Sequence, residues 1–341
     1  MSRLWGKRTY IIAEAGVNHN GQMDIARRLV DVAVEAGADA VKFQTFKLSG
    51  VVSADAPMAE YQKQNVGKST PMAEMLKSLE LSYRQFEELA QYARDAGITF
   101  ASTPFDVESA AFLEGLGVDF FKIPSGEITN PALVEAVARF RRPTIVSTGM
   151  ANLGEVERAV GWLNAEGCND LALLHCVSDY PANPADANLA AMDTLRAAFG
   201  LPVGWSDHTL GDTVMIAAVA RGACIVEKHF TLDVSLPGPD HRASLDPAEL
   251  KRMVENIRIT ESAIGDGRKH PTPRERNVAD AARRSIVAAH PLAAGAALKR
   301  DDLEFLRPGT GIAPADIRFV LGRKLRHAVP QGALIKLDDL A

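Results

Sequence analysis

The 341-residue chain is short of the features that mark several functional classes. Its three cysteines, Cys168, Cys176 and Cys224, are odd in number and scattered through apolar runs. That rules out a disulfide framework and a cysteine-ligated metal, and leaves the reduced core thiols expected of a cytoplasmic protein. An excess of one charge is also lacking. Lys and Arg total 38 against 43 Asp and Glu, a formal charge of −5. This gives no electrostatic footprint for nucleic acid or an anionic membrane surface. Val214–Val226 is apolar but too short to span a bilayer, and Arg221 cuts it. The opening MSRLWGKRTY lacks the apolar core of a secretory signal. Neither a GxGxxG dinucleotide fingerprint nor a P-loop follows any strand-like run. With 47% hydrophobic and 24% charged residues, the composition is that of an ordinary globular protein, and the length suits one large and one small domain.

What is present is a repeated grammar. Tyr10-Ile11-Ile12 climbs through Ala13 to a carboxylate, Glu14; Gly16 breaks the strand, and Asn18-His19-Asn20-Gly21 follows as a polar turn. Apolar residues at 25, 29, 32 and 36 predict a helix over 24–35, closed by Gly37, and 40–45 reads as the second strand. An insertion over about 46–81 is too long for an ordinary connection and is expected to be a functional loop. Ser82 and Gln85 then supply a capping box for a helix over 82–96. Strands over 98–102, 120–123, 144–147, 171–176, 203–206 and 224–228 alternate with helices over 108–116, 132–140, 155–166, 189–199, 213–221 and 247–264. Eight strand–helix pairs in about 265 residues predict a (β/α)8 TIM barrel. A doubly wound sheet is the alternative, disfavoured by the missing dinucleotide fingerprint. The barrel is expected over 1–265, a polar linker over 266–281, and a small β-rich module over 282–341. A module of that size is marginal alone and should pack on something, such as the mouth of a neighbouring barrel.

In this fold the C-terminal strand ends build the active site. Here they carry Glu14; Lys42 and Gln44; Ser102 and Thr103; Lys122, Ser125 and Glu127; Ser147 and Thr148; His175, Ser178 and Tyr180; Ser206, Asp207 and His208; and Glu227, Lys228 and His229. One polar strand end merely caps the next helix; eight together predict an enzyme. Lys42 and Lys122 should point inward. Each could snorkel to the rim, or form a Schiff base if burial depresses its pKa. Together with Thr103, Ser125, Ser147 and Ser206 they could instead clamp a phosphate or carboxylate. So many hydroxyls favour the clamp. His208 and His229 end neighbouring strands, near Glu14 across the closure, which suits a divalent cation. His19 and Asn20 are expected close by, as loop supports or sugar contacts. His175 is expected in a structural or hydrogen-bonding role, and His241, His270, His290 and His327 at surface or linker positions.

The stretches IAEAGVNHNG (12–21), VKFQTFK (41–47), STPFD (102–106), KIPSGE (122–127), STGM (147–150), WSDHTLG (205–211), EKHFTLD (227–233), PGPDHRASL (237–245) and RPGTGI (307–312) together resemble the sialic acid synthase family, the N-acetylneuraminate, legionaminate and pseudaminate synthases. The resemblance runs in order over nearly the whole chain. It implies that the C-terminal module is an antifreeze-like (SAF, β-clip) domain acting as a substrate-site lid rather than an ice-binding surface. It further implies condensation of phosphoenolpyruvate with an N-acetylmannosamine-type sugar, with manganese or magnesium, giving a nine-carbon 2-keto acid and phosphate. The implied assembly is a homodimer with swapped C-terminal domains. By matched motif, phosphoenolpyruvate contacts fall on Lys42, Thr103, Lys122, Ser125, Ser147, Ser178 and Ser206, and metal ligands on His208 and His229. The sugar side falls on Glu14, Gln44, Asn65, Glu127, Tyr180, Asp240 and the partner's Arg307. Glu14, Glu127 and His229 are the implied catalytic groups. Val177 departs from the hydroxyl or amide residue that members often carry there. Competing readings are a 3-deoxy-octulosonate 8-phosphate synthase-like condensation, a Schiff-base aldolase, and a non-catalytic carbohydrate- or ice-binding protein. The first explains neither the C-terminal module nor RPGTGI. Both N-acetylmannosamine and 2,4-diacetamido-2,4,6-trideoxymannose stay open as the acceptor.

Overall fold

The computed structural model describes residues 8–53, 56–66 and 71–341. The chain divides into two compact units, Met1–Gly265 and Asp266–Ala341. The first opens with β1 (Tyr10–Gly16), α1 (Met23–Ala36) and β2 (Ala40–Thr45). The described residues of the insertion include three short helices: α2 (Leu48–Val51), α3 (Glu60–Val66) and α4 (Met72–Lys77). The alternation then runs α5 (Tyr83–Asp95), β3 (Thr99–Pro104), α6 (Val107–Leu116), β4 (Phe121–Ile123), α7 (Pro131–Arg139), β5 (Thr144–Ser147) and α8 (Leu153–Ala165). It ends with β6 (Leu171–Cys176), α9 (Ala191–Phe199), β7 (Val203–Asp207), α10 (Thr213–Ala220), β8 (Ile225–His229) and α11 (Pro247–Ile264).

The eight strands make seven pairings, all parallel, in the ladder order β4-β5-β6-β7-β8-β1-β2-β3. β3 and β4 come side by side without a backbone ladder, so the barrel is nearly closed. This is the (β/α)8 architecture expected from the alternation. Local chemistry sets where its helices begin. Capping boxes at Ser82–Gln85, Asn152–Glu155 and Asp246–Glu249 satisfy the first free N–H groups of α5, α8 and α11. α8 starts before its expected residue 155 because Asn152 is the cap and Glu155 its reciprocal partner.

The second unit holds α12 (Glu275–Ala282) and the antiparallel pair β9 (Ser285–Ala288) and β10 (Leu303–Leu306). α12 lies mostly within the stretch expected as a polar linker. Pro271 and Pro273 suggested a break there, but Thr272 and Glu275 exchange side-chain-to-backbone hydrogen bonds of 2.7 and 3.3 Å that start a helix in ERNVADAA. Ile286, Leu298, Leu303, Leu325, Ile335 and Leu340 lie in the core of this unit. One local structure is built twice, 37 positions apart. His290 pairs with Asp302 at 3.1 Å and His327 with Asp339 at 2.7 Å. The amides of Lys299 and Lys336 each donate to those same carboxylates at 2.7 Å.

Candidate active site

Side chains alternate along a strand, so inward-facing positions recur every second residue. Seven of the eight strands carry their inward series from an apolar floor to a polar site. Ile12 leads to Glu14, Ala40 to Lys42 and Gln44, Ala101 to Thr103, Phe120 to Lys122, Ile145 to Ser147, and Ile225 to Glu227 and His229. On β7 the floor position is Gly204, where a Cβ would collide with the Ile225 carbonyl; above it come Ser206 and His208. These groups line a cavity of about 500 Å³.

Directly above that apolar floor lies a network of four buried charges, Glu14, Lys42, Lys122 and Glu227. Lys42 Nζ lies 2.7 Å from Glu14 Oε2 and 3.6 Å from Glu227 Oε2, and donates to Thr103 Oγ1 at 2.7 Å. Lys122 Nζ and Ser206 Oγ each donate to Glu227 Oε1 at 3.1 Å. Gln44 Nε2 donates to Glu14 Oε1 at 3.1 Å. Burial alone would pull the Lys42 ammonium down, but Glu14 and Glu227 raise it above the usual lysine range. The two carboxylates thus hold Lys42 in its charged form. Burial raises Glu14, whereas at Glu227 the effect of burial is overridden by Lys122 and Lys42, which bring it to about 2.

Hydroxyls ring these lysines. Ser147 Oγ is buried and has no hydrogen-bond partner among the described residues. Ser125 Oγ accepts from the Gly149 amide at 3.0 Å and lies 3.1 Å from Cys176 Sγ. A Cβ at Gly149 would collide with Ser178 Oγ and crowd both Cys176 and Ser125, so glycine lets this loop close against the serines. Glu127 lines the cavity, with its Oε2 accepting from Asn130 Nδ2 at 2.7 Å.

His208 and His229 have ring centroids 5.6 Å apart, and the Tyr180 ring lies 4.0 Å from that of His208. His208 Nδ1 lies 2.6 Å from the Val177 carbonyl, so it carries the proton and leaves Nε2 as a lone pair. At Val177 the backbone carbonyl, not the side chain, thus makes the contact that shapes the site. His229 Nδ1 is buried with no hydrogen-bond partner among the described residues, 4.0 Å from Asp240 Oδ2. Burial lowers His208 to about 4; burial and the neighbouring His208 put His229 well below the usual range. Both imidazoles are neutral, the form that ligates metal. Burial and Glu14 raise Asp240 to about 7. Among the described residues no three His, Cys, Asp or Glu side chains gather into a metal cage. The donor set fits an open site in which two imidazoles hold an ion and substrate or water completes it.

Of the residues singled out in the sequence, Asn65 and Arg307 stand apart from the cavity-lining set. Asn65 Nδ2 donates to the carbonyls of Tyr180 (3.2 Å) and Pro239 (2.7 Å), pinning α3 to the loops after β6 and β8. Arg307 belongs to the second unit, where its Nε donates to the Ala282 carbonyl at 2.9 Å and its side chain is exposed. Asn20 supports a loop: its Nδ2 donates to the Pro237 carbonyl and its Oδ1 bonds His241 Nε2. His19 Nδ1 accepts from the Gly21 amide. His175 faces Trp205 and bonds the Ala187 carbonyl.

Three placements differ from the sequence reading or add to it. His241, expected at the surface, is fully buried and bonds Thr231 Oγ1 at 2.7 Å, because the loop after β8 folds back over the turn after β1. Glu227 had no assigned role, yet it is the carboxylate between the two lysines. Its position two residues before His229 on one strand was the available signal. Asp207 and Lys228, between inward residues, point the other way and pair at 2.8 Å with neither exposed.

Comparison with known proteins gives the site its relatives. The chain is 49% identical over 335 residues to N,N'-diacetyllegionaminic acid synthase of Legionella pneumophila, covering 97% of this chain and 94% of that one. It is 44% identical to the enzyme of the same name from Campylobacter jejuni, over 97% and 99% of the two chains. Among solved structures, N-acetylneuraminic acid synthetase from Leptospira borgpetersenii superposes with a TM-score of 0.70 at 35% identity, covering 80% of this chain and 91% of that one. Residues 29–269 match the NeuB family and residues 283–341 the SAF domain. The chain belongs to the NeuB family of sialic acid synthases and carries a SAF domain at its C-terminal end.

Proposed function

We propose that the chain is a transferase that condenses phosphoenolpyruvate with the open-chain form of an N-acetylated mannosamine-type sugar. C3 of the enol bonds to the sugar's aldehyde carbon, whose oxygen becomes a hydroxyl. Water adds at C2, and the bond between C2 and the phosphate oxygen breaks, giving a nine-carbon 2-keto acid and phosphate. The observation that carries this reading is the two-ended cavity. Two buried ammonium groups with a rim of serines and a threonine suit a phosphate and a carboxylate. Two neutral imidazoles beside Glu14, Gln44 and Asp240 suit an aldehyde and its hydroxyls.

Lys42, Lys122, Thr103, Ser125, Ser147, Ser178 and Ser206 hold phosphoenolpyruvate. Glu14 and Glu127 stabilise the positive charge that develops at C2 and take up the proton of the added water. Gln44, Tyr180 and Asp240 orient the sugar, and Asn65 fixes the wall around it. A manganese or magnesium ion would sit on His208 and His229 and, when bound, would supply Lewis-acid polarisation of the aldehyde oxygen. The names of the relatives favour a diacetamido acceptor and a legionaminate-type product. A homodimer in which the partner's Arg307 reaches the sugar is part of the proposal. So is a cytoplasmic location, which the free cysteines suit; among the described residues no helix is long and apolar enough to cross a membrane.

The test is phosphate release. It should require phosphoenolpyruvate, the amino sugar and a divalent cation together, and fall at least about a hundredfold in His208→Ala or His229→Ala with the fold retained. Equal release with a simple aldose phosphate would sink the assignment in favour of an octulosonate-phosphate-type synthase.

A further inference from the structure

Glu127 is held differently from the carboxylates of the buried network. Glu14 and Glu227 pair with lysines at 2.7 to 3.6 Å, whereas no cation pairs with Glu127 among the described residues. It lines the cavity from the single turn Ser125–Glu127 that follows β4. Its Oε2 accepts from Asn130 Nδ2 at 2.7 Å, and the Asn130 backbone N–H donates back to the Glu127 carbonyl at 2.9 Å. The Asn130 side chain has a second task. It is the N-cap of α7, its Oδ1 accepting from the Leu133 amide at 3.4 Å, with Pro131 beginning the helix. A carboxylate takes only the N–H end of a side-chain amide, and a backbone N–H only its oxygen. Both contacts therefore fix the same orientation of Asn130.

We propose that Asn130 is a positioning residue for the condensation: anchored on the first turn of α7, its Nδ2 aims the Glu127 carboxylate at C2 of phosphoenolpyruvate. The proposal rests on the condensation reading above. With Oε2 taken up by Asn130, Oε1 is left for substrate or water. A lysine in the same place would aim the carboxylate but cancel much of its charge. A neutral amide aims it and leaves the charge to act on the cation that develops at C2. Capping alone asks for no nitrogen at this position, because Asp and Ser cap a helix about as well as Asn. The N–H that reaches Glu127 is what only the amide supplies.

The test separates the two tasks by substitution in the full chain, with phosphate release and thermal melting as readouts. Asn130→Ala loses both tasks. Asn130→Asp and Asn130→Ser keep a cap for the Leu133 amide but lose the amide N–H, and Asp also sets a second negative charge against Glu127. Melting should drop by about 2–4 °C in Asn130→Ala and by less in Asn130→Ser. The kcat should fall about tenfold or more in Asn130→Ala and Asn130→Ser, with the KM for phosphoenolpyruvate within about threefold of wild type. It should fall further in Asn130→Asp. Asn130 is half-buried, and the uncharged Ser variant keeps the comparison valid if the Asp variant folds poorly. A purely structural residue would make activity follow melting temperature. Either capping variant within about twofold of wild-type kcat would therefore overturn the proposal. A wild type that releases no phosphate from phosphoenolpyruvate with manganese and either amino sugar would remove the condensation reading, and this inference with it. The wild-type rate thus tells the two failures apart.

Discussion

Replacing Lys228 by Met removes one half of an ion pair that joins the two strands carrying the histidines. Asp207 and Lys228 are direct register partners on β7 and β8, 2.8 Å apart, and neither side chain is exposed. Lys228 also donates to the Thr209 carbonyl, and Asp207 Oδ1 accepts from the Thr209 amide and hydroxyl at 3.0 and 2.8 Å. At this separation two unit charges attract by about 6 kcal/mol for an effective dielectric constant near 20. Desolvating both groups offsets much of that, so the pair itself contributes little net stability. Removing one partner is different: the Asp207 carboxylate stays buried, held by two hydrogen bonds and no cation. Lys228→Met should therefore cost about 3–5 kcal/mol. Asp207→Asn/Lys228→Met keeps an acceptor for Thr209 and removes the stranded charge, so it should return to within about 2 kcal/mol of wild type. Urea unfolding followed by the fluorescence of buried Trp205, two residues from Asp207, reads the transition where the change is made. A single-substitution cost below about 1 kcal/mol, or a double variant no better than the single, would refute the argument.

Two further outcomes follow from buried groups. Glu227→Gln should lower kcat at least about tenfold, because Lys42 and Lys122 lose the carboxylate that aims them. It should not raise the KM for phosphoenolpyruvate, since it also removes a negative charge beside the anion site; steady-state kinetics showing a raised KM with kcat unchanged would reverse that role. Burial holds His19 and His241 at about 4, below their unfolded value near 6.5. The unfolded chain thus binds more protons below pH 6.5, so stability is complete above that pH and falls as pH drops towards 4. The two groups contribute a slope of up to about 2.7 kcal/mol per pH unit, and a urea midpoint unchanged between pH 6.5 and 5 would exclude it.

Much of this was legible because a barrel writes its geometry into the chain one strand at a time. Ile12 then Glu14, or Phe120 then Lys122, is a two-residue step from floor to site, and each step is local. Glu227 was harder to read. Glu227, Lys228 and His229 are three polar residues in a row, and only their alternation separates the outward Lys228 from its neighbours. The burial of His241 was not written locally at all. It comes from the turn after β1 reaching Pro237 and His241 through Asn20, a contact 217 to 221 residues apart in the chain. α12 was hidden by the two prolines before it, Pro271 and Pro273, between which Thr272 supplies the hydroxyl that accepts from the Glu275 amide. Asn65 could be matched by motif, but what its amide bonds depends on where two distant loops bring their carbonyls.

The doubled structure of the C-terminal unit has a consequence for how so small a body holds together. Thirty-seven residues are too few to bury a core without a cross-link, a metal or a second copy. Here the second copy is in the same chain. Leu292 bridges Val329, its counterpart in the other half, and β9 bonds the second half through Ala288 to Ala333 and Ile335 to Ile286. Each half supplies the surface that the other lacks, at a fixed one-to-one ratio that dilution does not alter. The unit is in effect a dimer whose partners are never apart.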